Sequence, residues 1–407
     1  MPAPRVVERI GSSDSSLPRV APAGSRADGG RFELVLLAAV TWNFPLVGRS
    51  RMLTEAWQRR GQPVTFVQVP SLRSALQRLA APVSRGPAHV VRPWSAYPFS
   101  LWPHLPESLL RRSARLWARE LRRQLTGRID WSRAAAVVVS PIWAPWLREL
   151  PFGKVIYDCI DDVAVHTPRP ALAALYRRWE DELVGRASGA VVTSETLLAA
   201  LRARRPELPA ATIRNGVDAE RFVELARGAP RPADLPDDGR PIVGFVGALY
   251  EWVDQRLIAA VARALPDFHF VFVGPQGRRG LSERLRNTRN VRFLGRRPYE
   301  RVPAYVAAFD VCWVPFDHGR IARAANPVKV YEYLALGKPV VSTPIADVDS
   351  FDPHVRVGHD VGEVVAQLRA AAGEPDGRAT QRMQFARANS WDSRAAQYLD
   401  FIGTLAR

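Results

Sequence analysis

The sequence predicts an α/β protein made of two doubly wound domains, and three observations support this fold class. In the second half, apolar strands predicted at 242–246, 269–273, 291–294, 310–314 and 339–343 alternate with helices near 253–264, 281–286, 299–307 and 327–336. This alternation is typical of a parallel sheet with right-handed crossovers. The first half opens with the same strand, helix, strand pattern, and 407 residues are enough for two domains with separate cores.

The first half contains further predicted strands and helices. Apolar strands are predicted at 32–40, 64–69, 134–140, 154–157 and 189–193, and helices at 109–125 and 170–187. Residues 70–108 are rich in proline and aromatic residues and give no assignment. The segment 226–240 has the proline, glycine and aspartate content of an interdomain linker, and residues 1–30 have the polar composition of a disordered tail.

Charge, cysteine content and hydropathy limit the class of protein. The net charge of +17 requires an anionic partner, which could be nucleic acid, an acidic membrane surface or an anionic substrate. Because no helix-turn-helix or aromatic RNA-binding motif is visible, we expect no nucleic acid partner. The two cysteines lie far apart in the sequence, which favours a reducing compartment. Without a visible signal peptide or membrane span, the sequence predicts a cytoplasmic protein, soluble or peripheral to the membrane.

An amphipathic, basic helix is predicted at Leu109–Leu125. Its apolar side would carry Leu109, Leu110, Leu116, Trp117, Leu121 and Leu125, and its polar side Arg111, Arg112, Arg115, Arg119, Arg122 and Arg123. Such a helix can lie in the interface of an anionic membrane. It can equally cover the sheet with its apolar side and expose its arginines to water.

The segment Asn326–Thr343 has the pattern of a ligand-binding helix followed by a buried strand. Asn326 is a suitable N-cap, Pro327 suits the first helical position, and Gly337 supplies a left-handed stop. Lys329 and Glu332 are three residues apart and therefore share a helix face. A helix start with a lysine suits a phosphate, and a nearby carboxylate suits two sugar hydroxyls, so the segment predicts a nucleotide-diphosphate sugar site. An ordinary surface helix would show the same pattern.

Other candidate donor-binding residues lie at strand ends and in the preceding loop. Gly247, Gly274 and Gly295 follow predicted strands, where a missing side chain lets the backbone approach a ligand, although glycine also punctuates ordinary strand ends. Arg320 and Arg323 precede the helix and could neutralise a diphosphate. No metal-ligand spacing is visible, so neither a metal nor a cofactor is expected.

Two candidate regions follow strands of the first half. The acidic run Asp158–Asp162 could position a sugar hydroxyl or supply a general base, or it could cap the next helix. His166 follows closely and could contact substrate or be structural. The loop that contains Trp42, Asn43 and Gly48 lies past the first strand, where open sheets bind ligands, and it lacks a dinucleotide-binding fingerprint.

These segments resemble the GT-B glycosyltransferases, especially the retaining enzymes of family 4. Glu332 matches a glutamate that commonly holds the ribose in that family, and Asn215-Gly-Val-Asp218 with Phe222 matches a second family motif. The run from Tyr157 to Asp162 resembles a subgroup of bacterial polysaccharide glycosyltransferases of the teichuronic acid type. The resemblance extends from about residue 32 to residue 402.

The resemblance implies two Rossmann-like domains facing across a cleft. Residues 31–225 would bind the acceptor, 241–390 the nucleotide sugar, and 391–407 would form a helix that crosses back to the first domain. The implied activity is metal-independent, retaining transfer of a hexose to a lipid-linked or glycan acceptor in cell-surface glycan biosynthesis. Asp161, Asp162 and His166 would then face the cleft as catalytic candidates.

Three positions depart from the family pattern. A second glutamate of the family corresponds to Ala324, and its phosphate-binding arginine and lysine correspond to Ala248 and Asp254. Two other functions also stay open. The chain could be a GT-B sugar-nucleotide epimerase, which turns over without an acceptor. It could also be a non-catalytic basic protein that binds membranes or nucleic acid and keeps a vestigial donor site, which predicts salt-sensitive binding to any polyanion.

Overall fold

The computed structural model has two parallel β-sheets flanked by helices within one unit, Phe32–Arg407. It describes residues 32–42, 48–69, 89–91, 102, 104–167, 169–277, 280–317, 319–324 and 326–405. The predicted tail at 1–30 and Asn43 lie outside the described residues, so these predictions stay untested.

The first sheet has seven parallel strands in the order β3-β2-β1-β4-β5-β6-β7. They are β1 Glu33–Leu37, β2 Val64–Val67, β3 His89–Val91, β4 Ala134–Val138, β5 Lys154–Cys159, β6 Gly189–Val192 and β7 Ala210–Thr212. The central strands β1 and β4 are apolar and buried along nearly their whole length, as expected for a sheet covered on both faces. The chain reverses its direction across the sheet between β1 and β4, and such a point opens a crevice at the carboxyl edge.

The second sheet has six parallel strands in the order β10-β9-β8-β11-β12-β13. They are β8 Ile242–Val246, β9 His269–Val273, β10 Val291–Gly295, β11 Val311–Val314, β12 Val340–Ser342 and β13 Val355–Val357. Here the order reverses between β8 and β11. The two sheets confirm the predicted α/β fold class with two doubly wound halves. The predicted domain boundaries at 225, 241 and 390 stay predictions.

Fourteen α-helices lie among the described residues. They are α1 Arg49–Arg59, α2 Glu107–Leu125, α3 Ala144–Leu147, α4 Pro170–Arg186, α5 Glu195–Arg204, α6 Ala219–Arg227, α7 Gln255–Ala264, α8 Glu283–Arg286, α9 Val302–Ala307, α10 Arg320–Ala324, α11 Val328–Ala335, α12 Val361–Ala372, α13 Ala379–Ala388 and α14 Trp391–Thr404. Within this part of the chain, none is both long and apolar enough to cross a membrane.

Helix α2 covers the first sheet with its apolar face. Leu110, Trp117, Leu121 and Leu125 are buried in the same core as β4. The prediction for Leu116 was wrong, because its side chain is 61% exposed among the arginines. At 3.6 residues per turn, Leu116 lies about 100° away from Trp117, which places it outside the buried stripe.

The last two helices among the described residues are α13 and α14. Helix α13 stops at Ala388, and Ser390 caps α14 by accepting a hydrogen bond from the Ser393 N–H at 3.2 Å. The serine side chain satisfies an N–H that a continuous helix would have bonded internally. Helix α14 packs against α1, and its Tyr398 and Ile402 are buried with residues of β1.

Candidate functional site

A cavity of about 300 Å³ opens at the carboxyl edge of the second sheet. It is lined by Val246, Gly247, Ala248, Trp252, Val273, Gly274, Pro275, Arg296, Arg297, Tyr299, Val302, Val328, Lys329 and Glu332. The loops after β8, β9 and β10 therefore meet the start of α11. The structure places four of the predicted donor-site residues, Gly247, Gly274, Lys329 and Glu332, around this one space.

Two glycines let the loops after β8 and β9 pass in direct contact. Gly247 and Gly274 have φ angles of +144° and +157°, which residues with side chains rarely adopt. A Cβ atom at Gly274 would lie 1.8 Å from the carbonyl oxygen of Gly247, and one at Gly247 would lie 2.8 Å from Cε of Lys329. The backbone contact therefore requires glycine at Gly274, whereas the φ angle favours glycine at Gly247, and both backbones reach the cavity wall.

Lys329 enters the cavity between two aromatic rings. Its Nζ lies 5.2 Å from the ring centre of Phe245 and 4.9 Å from that of Phe316, so the ammonium makes cation–π interactions with both rings. Among the described residues, no hydrogen bond or ion pair holds the ammonium. Burial lowers the pKa of Lys329 to about 8, although the nearby Glu332 carboxylate partly opposes this shift. An anionic ligand in the cavity would favour the protonated form.

Glu332 is held in place by a tyrosine from the opposite wall. Its side chain is 8% exposed, and Oε1 accepts a hydrogen bond of 2.9 Å from the Tyr299 hydroxyl. Burial raises the pKa of Glu332, while the Tyr299 hydrogen bond and Lys329 act in the opposite direction. This hydrogen bond fixes the orientation of the carboxylate. Its other oxygen can still accept hydrogen bonds from hydroxyl donors.

Asn326 does not cap α11, so this part of the sequence prediction was wrong. The helix begins at Val328, with Pro327 in the capping position. The Asn326 side-chain oxygen instead accepts hydrogen bonds from the Asn215 N–H at 2.9 Å and the Tyr331 hydroxyl at 3.2 Å. The Asn215 side chain in turn donates to the Asn326 carbonyl at 2.5 Å. These bonds tie the start of α11 to the segment that follows β7, and Asn326 does not line the cavity.

The arginines at the cavity differ from those that the sequence indicated. Arg323, on α10, is exposed and does not line the cavity, and the Arg320 side chain lies outside the described residues. Arg296 and Arg297, which follow β10, do line it. Arg297 is engaged by Asp234 at 2.7 Å and by the Tyr305 hydroxyl at 2.9 Å, whereas Arg296 is exposed.

The structure shows the surroundings of the three residues that depart from the family pattern. Asp254 caps α7, because its Oδ1 accepts from the N–H groups of Arg256 and Leu257, both at 2.9 Å. Ala324 is 5% exposed and packs against the core of the first sheet. Its carbonyl accepts a hydrogen bond of 3.0 Å from the Ser194 hydroxyl. Ala248 lines the cavity as a small residue.

The three aspartates of the acidic run after β5 have different structural surroundings. Asp158 is fully buried and pairs with Arg49. Asp162 caps the 3-10 helix Val163–His166, since its Oδ1 accepts from the Ala164 N–H at 3.2 Å. Asp161 is half-buried, and its carbonyl accepts from the Cys159 thiol. The His166 side chain lies outside the described residues, so the prediction that it contacts substrate stays open.

Arg49 connects four parts of the chain at the carboxyl edge of the first sheet. Its Nε donates to both Asp158 oxygens at 3.1 and 3.2 Å, and its other nitrogens reach the Ile213 carbonyl, the Asn215 side chain and the Tyr398 hydroxyl. The sequence did not indicate this role. The only local indication of this role was that a charged residue begins a helix whose buried face is otherwise mostly apolar.

The loop after β1 is described at its two ends. Trp42 donates its backbone N–H to the Gln68 side-chain oxygen at 3.3 Å, and its ring packs edge-on against Phe66 at 5.0 Å and lies beneath Arg51. Gly48 is exposed and precedes α1 in an extended conformation. Both therefore lie at the carboxyl edge of the first sheet, as predicted from its topology. Within the described residues, no group of three or more histidine, cysteine or acidic side chains could hold a metal ion.

Residues 240–371 match the family model described as glycosyl transferases group 1. This range contains the whole cavity lining. The chain is also 27% identical over 271 residues to TuaH of Bacillus subtilis strain 168, named as a teichuronic acid biosynthesis glycosyltransferase, which covers 62% of this chain and 67% of that protein. A shorter match of 154 residues at 28% identity is to a 2-deoxystreptamine glucosyltransferase of Streptomyces kanamyceticus, covering 34% of this chain and 35% of that protein.

Solved structures share the fold over nearly the whole chain. Sucrose-phosphate synthase from Thermosynechococcus elongatus has a TM-score of 0.69 at 16% identity and covers 91% of this chain and 98% of its own. HepE from Anabaena, solved with UDP and glucose, has a TM-score of 0.60 at 16% identity and covers 92% of this chain and 100% of its own. At these identities the likeness establishes the architecture of the two halves.

Proposed function

We propose that this GT-B glycosyltransferase transfers a hexose from a nucleotide-diphosphate sugar to a lipid-linked or polysaccharide acceptor during cell-surface glycan synthesis. The observation that carries the proposal is the pairing of Lys329 and Glu332 on one face of α11, beside two glycines whose backbones border the same cavity. A cation and a backbone-lined wall suit a diphosphate, and a fixed carboxylate suits the two hydroxyls of a ribose.

The leaving group determines what the cavity must provide. In the proposed reaction an acceptor oxygen bonds to the anomeric carbon, the bond from that carbon to the diphosphate breaks, and the nucleoside diphosphate leaves with the electron pair. Lys329, Arg296 and the free N–H groups at the start of α11 would stabilise the developing charge. Because these groups supply positive charge without a metal ion, we propose that the reaction is metal-independent, and by family resemblance that it retains the anomeric configuration.

The acceptor would bind at the carboxyl edge of the first sheet. Asp161 would accept a hydrogen bond from the attacking hydroxyl and receive its proton, while Asp162 fixes the adjoining 3-10 helix. Trp42 and Gly48 border the same edge. TuaH, by its name, acts in teichuronic acid synthesis, and by analogy we propose an acceptor of the same class at the cytoplasmic face of the membrane.

A ligand that binds only the folded protein raises its apparent stability, so thermal denaturation with a panel of nucleotide sugars tests the donor site. We expect at least one nucleotide sugar to raise the melting temperature. Glu332→Gln and Lys329→Ala should each weaken binding of that donor more than tenfold, which corresponds to about 1.4 kcal/mol or more for a lost charge-assisted contact. Lys338→Ala, on the same segment but outside the cavity, is the matched control. Unchanged titrations in both site variants would contradict these roles.

Product analysis separates transfer from the alternative activities. With donor and a membrane extract as acceptor, we expect labelled sugar in a lipid or polymer fraction. An altered sugar nucleotide formed without any acceptor would instead indicate an epimerase. Binding to several polyanions with no preference for nucleotide sugars would indicate the non-catalytic protein.

A further inference from the structure

We propose that the exposed face of α2 is a docking surface for an anionic lipid bilayer. This surface, called the α2 outer face, consists of Arg111, Arg112, Arg115, Leu116, Arg119, Arg122 and Arg123. The proposal rests on the proposed function only for the reason that the protein would dock, since a lipid-linked acceptor is presented at a membrane. Docking itself can be tested without any sugar transfer.

The inner face of α2 fixes the direction in which the outer face points. Trp117 is 3% exposed and packs against Trp143 and Trp146, with ring centres 5.1 and 5.8 Å apart. Leu121 and Leu125 are fully buried on the same side. Rotating the helix would expose this tryptophan cluster, so the arginines are held permanently outward on a rigid base.

The charge of the outer face is strongly one-sided. Helix α2 contains six arginines and two glutamates, which gives it a net charge of +4. Arg111, Arg115 and Arg123 contact acidic residues at the surface, but their side chains remain 58%, 63% and 73% exposed. Arg112, Arg119 and Arg122 are also exposed. Exposed arginines at this density attract an anionic leaflet.

Leu116 distinguishes a bilayer from other polyanions. It is 61% exposed and, apart from Val361 at 37%, it is the one strongly exposed large apolar side chain of the described residues. Its helix neighbours at three and four residues are Arg112, Ser113, Arg119 and Glu120, so it projects at the border of the basic surface, beside two of its arginines. An apolar side chain beside arginines can enter the acyl boundary while the arginines contact lipid phosphates, which nucleic acid does not offer.

The position of α2 also suits an enzyme that acts on a membrane-bound acceptor. Helices that connect parallel strands run opposite to them, so the start of α2 lies toward the carboxyl edge of the first sheet. That edge carries Trp42, Gly48 and Asp161. A bilayer against the α2 outer face would therefore lie beside the proposed acceptor side.

Vesicle flotation of the full chain tests the proposal. We expect the protein to float with phosphatidylcholine vesicles that contain phosphatidylglycerol and not with vesicles of phosphatidylcholine alone, and added salt should release it. The triple variant Arg112→Gln, Arg119→Gln, Arg122→Gln should lose more than tenfold in partitioning, and Leu116→Ser several-fold. The matched controls are Arg284→Gln, Arg286→Gln, Arg289→Gln, which removes three exposed arginines of the second half, and Val361→Ser. Both controls should float like the wild type.

Each contrary outcome overturns the proposal. These are absence of flotation with the anionic vesicles, equal flotation of the α2 triple variant and the wild type, or an equal loss in the control triple variant. Duplex DNA that binds the wild type more tightly than the anionic vesicles, with no effect of Leu116→Ser, would assign the surface to nucleic acid instead. Nucleotide-sugar thermal shifts of the α2 variants should match the wild type. Docking that persists without any nucleotide-sugar shift would refute the proposed function and leave the docking surface intact.

Discussion

The carboxyl edges of the two sheets use their polar side chains in opposite ways. At the second sheet, Lys329 and Glu332 face a cavity and are oriented by aromatic residues. At the first sheet, Arg49, Asp158 and Asp162 are engaged in bonds within the protein. The polar side chains at the second sheet are therefore available to a ligand, whereas those at the first sheet bond to other residues of the protein.

This difference matches what each edge is proposed to bind. Ribonucleoside-diphosphate sugars share a diphosphate and a ribose, so one preformed site can serve donors of this class. Acceptors vary, and we expect their recognition to depend on residues 42–49 and 70–108. Four substitutions test whether the contrast between a binding edge and a structural edge is real.

The largest expected effect is on the first edge, from Arg49→Met. Removing one partner of a fully buried ion pair leaves Asp158 charged and uncompensated, which should lower the free energy of unfolding by about 3 to 5 kcal/mol. Chemical denaturation measures this loss. Arg59→Met is the matched control on the same helix, because Arg59 is 43% exposed and its pairs with Asp392 and Asp218 should contribute less than about 1 kcal/mol. Equal losses in the two variants would show that the first edge has no special structural role.

A smaller effect is expected at the glycine contact of the second edge. Gly274→Ala places a methyl group against the Gly247 carbonyl and imposes an unfavourable φ angle, which should cost about 1 to 3 kcal/mol and weaken donor binding. Gly185→Ala is the control, since that glycine lies within α4 with open space around it and alanine favours helices by up to about 1 kcal/mol. A Gly274→Ala protein with unchanged stability and donor affinity would exclude the need for this close approach.

Donor binding should depend on pH through Lys329. The pKa of this lysine is lowered to about 8, so it is protonated below that pH and loses its charge above it. Donor affinity should therefore fall by up to about tenfold as the pH rises from about 7 to about 9. Because a bound diphosphate favours the protonated lysine, the midpoint in the complex should lie above that of the free protein. Calorimetric titration of Lys329→Ala across the same range should give a flat profile, and an equal slope in both proteins would rule Lys329 out as the titrating group.

The smallest effect is expected from Tyr299→Phe. Loss of its hydroxyl removes one hydrogen bond to Glu332, worth about 0.5 to 1.5 kcal/mol, and frees the carboxylate to rotate, so donor affinity should fall a few-fold. Tyr157→Phe removes a hydroxyl that donates to the Glu180 carboxylate at 2.7 Å in the first half, away from the cavity, and should leave donor affinity unchanged. If both variants bound the donor like the wild type, Glu332 would not need Tyr299 for its orientation.

Elements with strong periodic patterns were predictable from the sequence. The central strands of both sheets and helices α2 and α4 agree with the predicted ranges to within a few residues. The edge strands β3 and β13 have three residues each, which is too short for a pattern to be visible. The break between α13 and α14 depends on one serine whose capping role only the fold reveals.

The candidate site was predictable where its residues are neighbours in the sequence. Lys329 and Glu332 share a helix face because they are three residues apart, and the glycines mark strand ends. The bonds from Tyr299 to Glu332 and from Arg49 to Asp158 join residues 33 and 109 positions apart, so no local pattern could predict them. Asn326 illustrates the limit, because a good capping residue was recruited instead by Asn215 from the other half.

The aspartate that caps α7 has a consequence for any attempt to install a cation at this position. Family resemblance aligns Asp254 with a lysine, yet here its carboxylate accepts hydrogen bonds from two backbone N–H groups of the helix. Asp254→Lys would therefore remove the cap, which costs about 0.5 to 2 kcal/mol of stability, before any contact with an anion is gained.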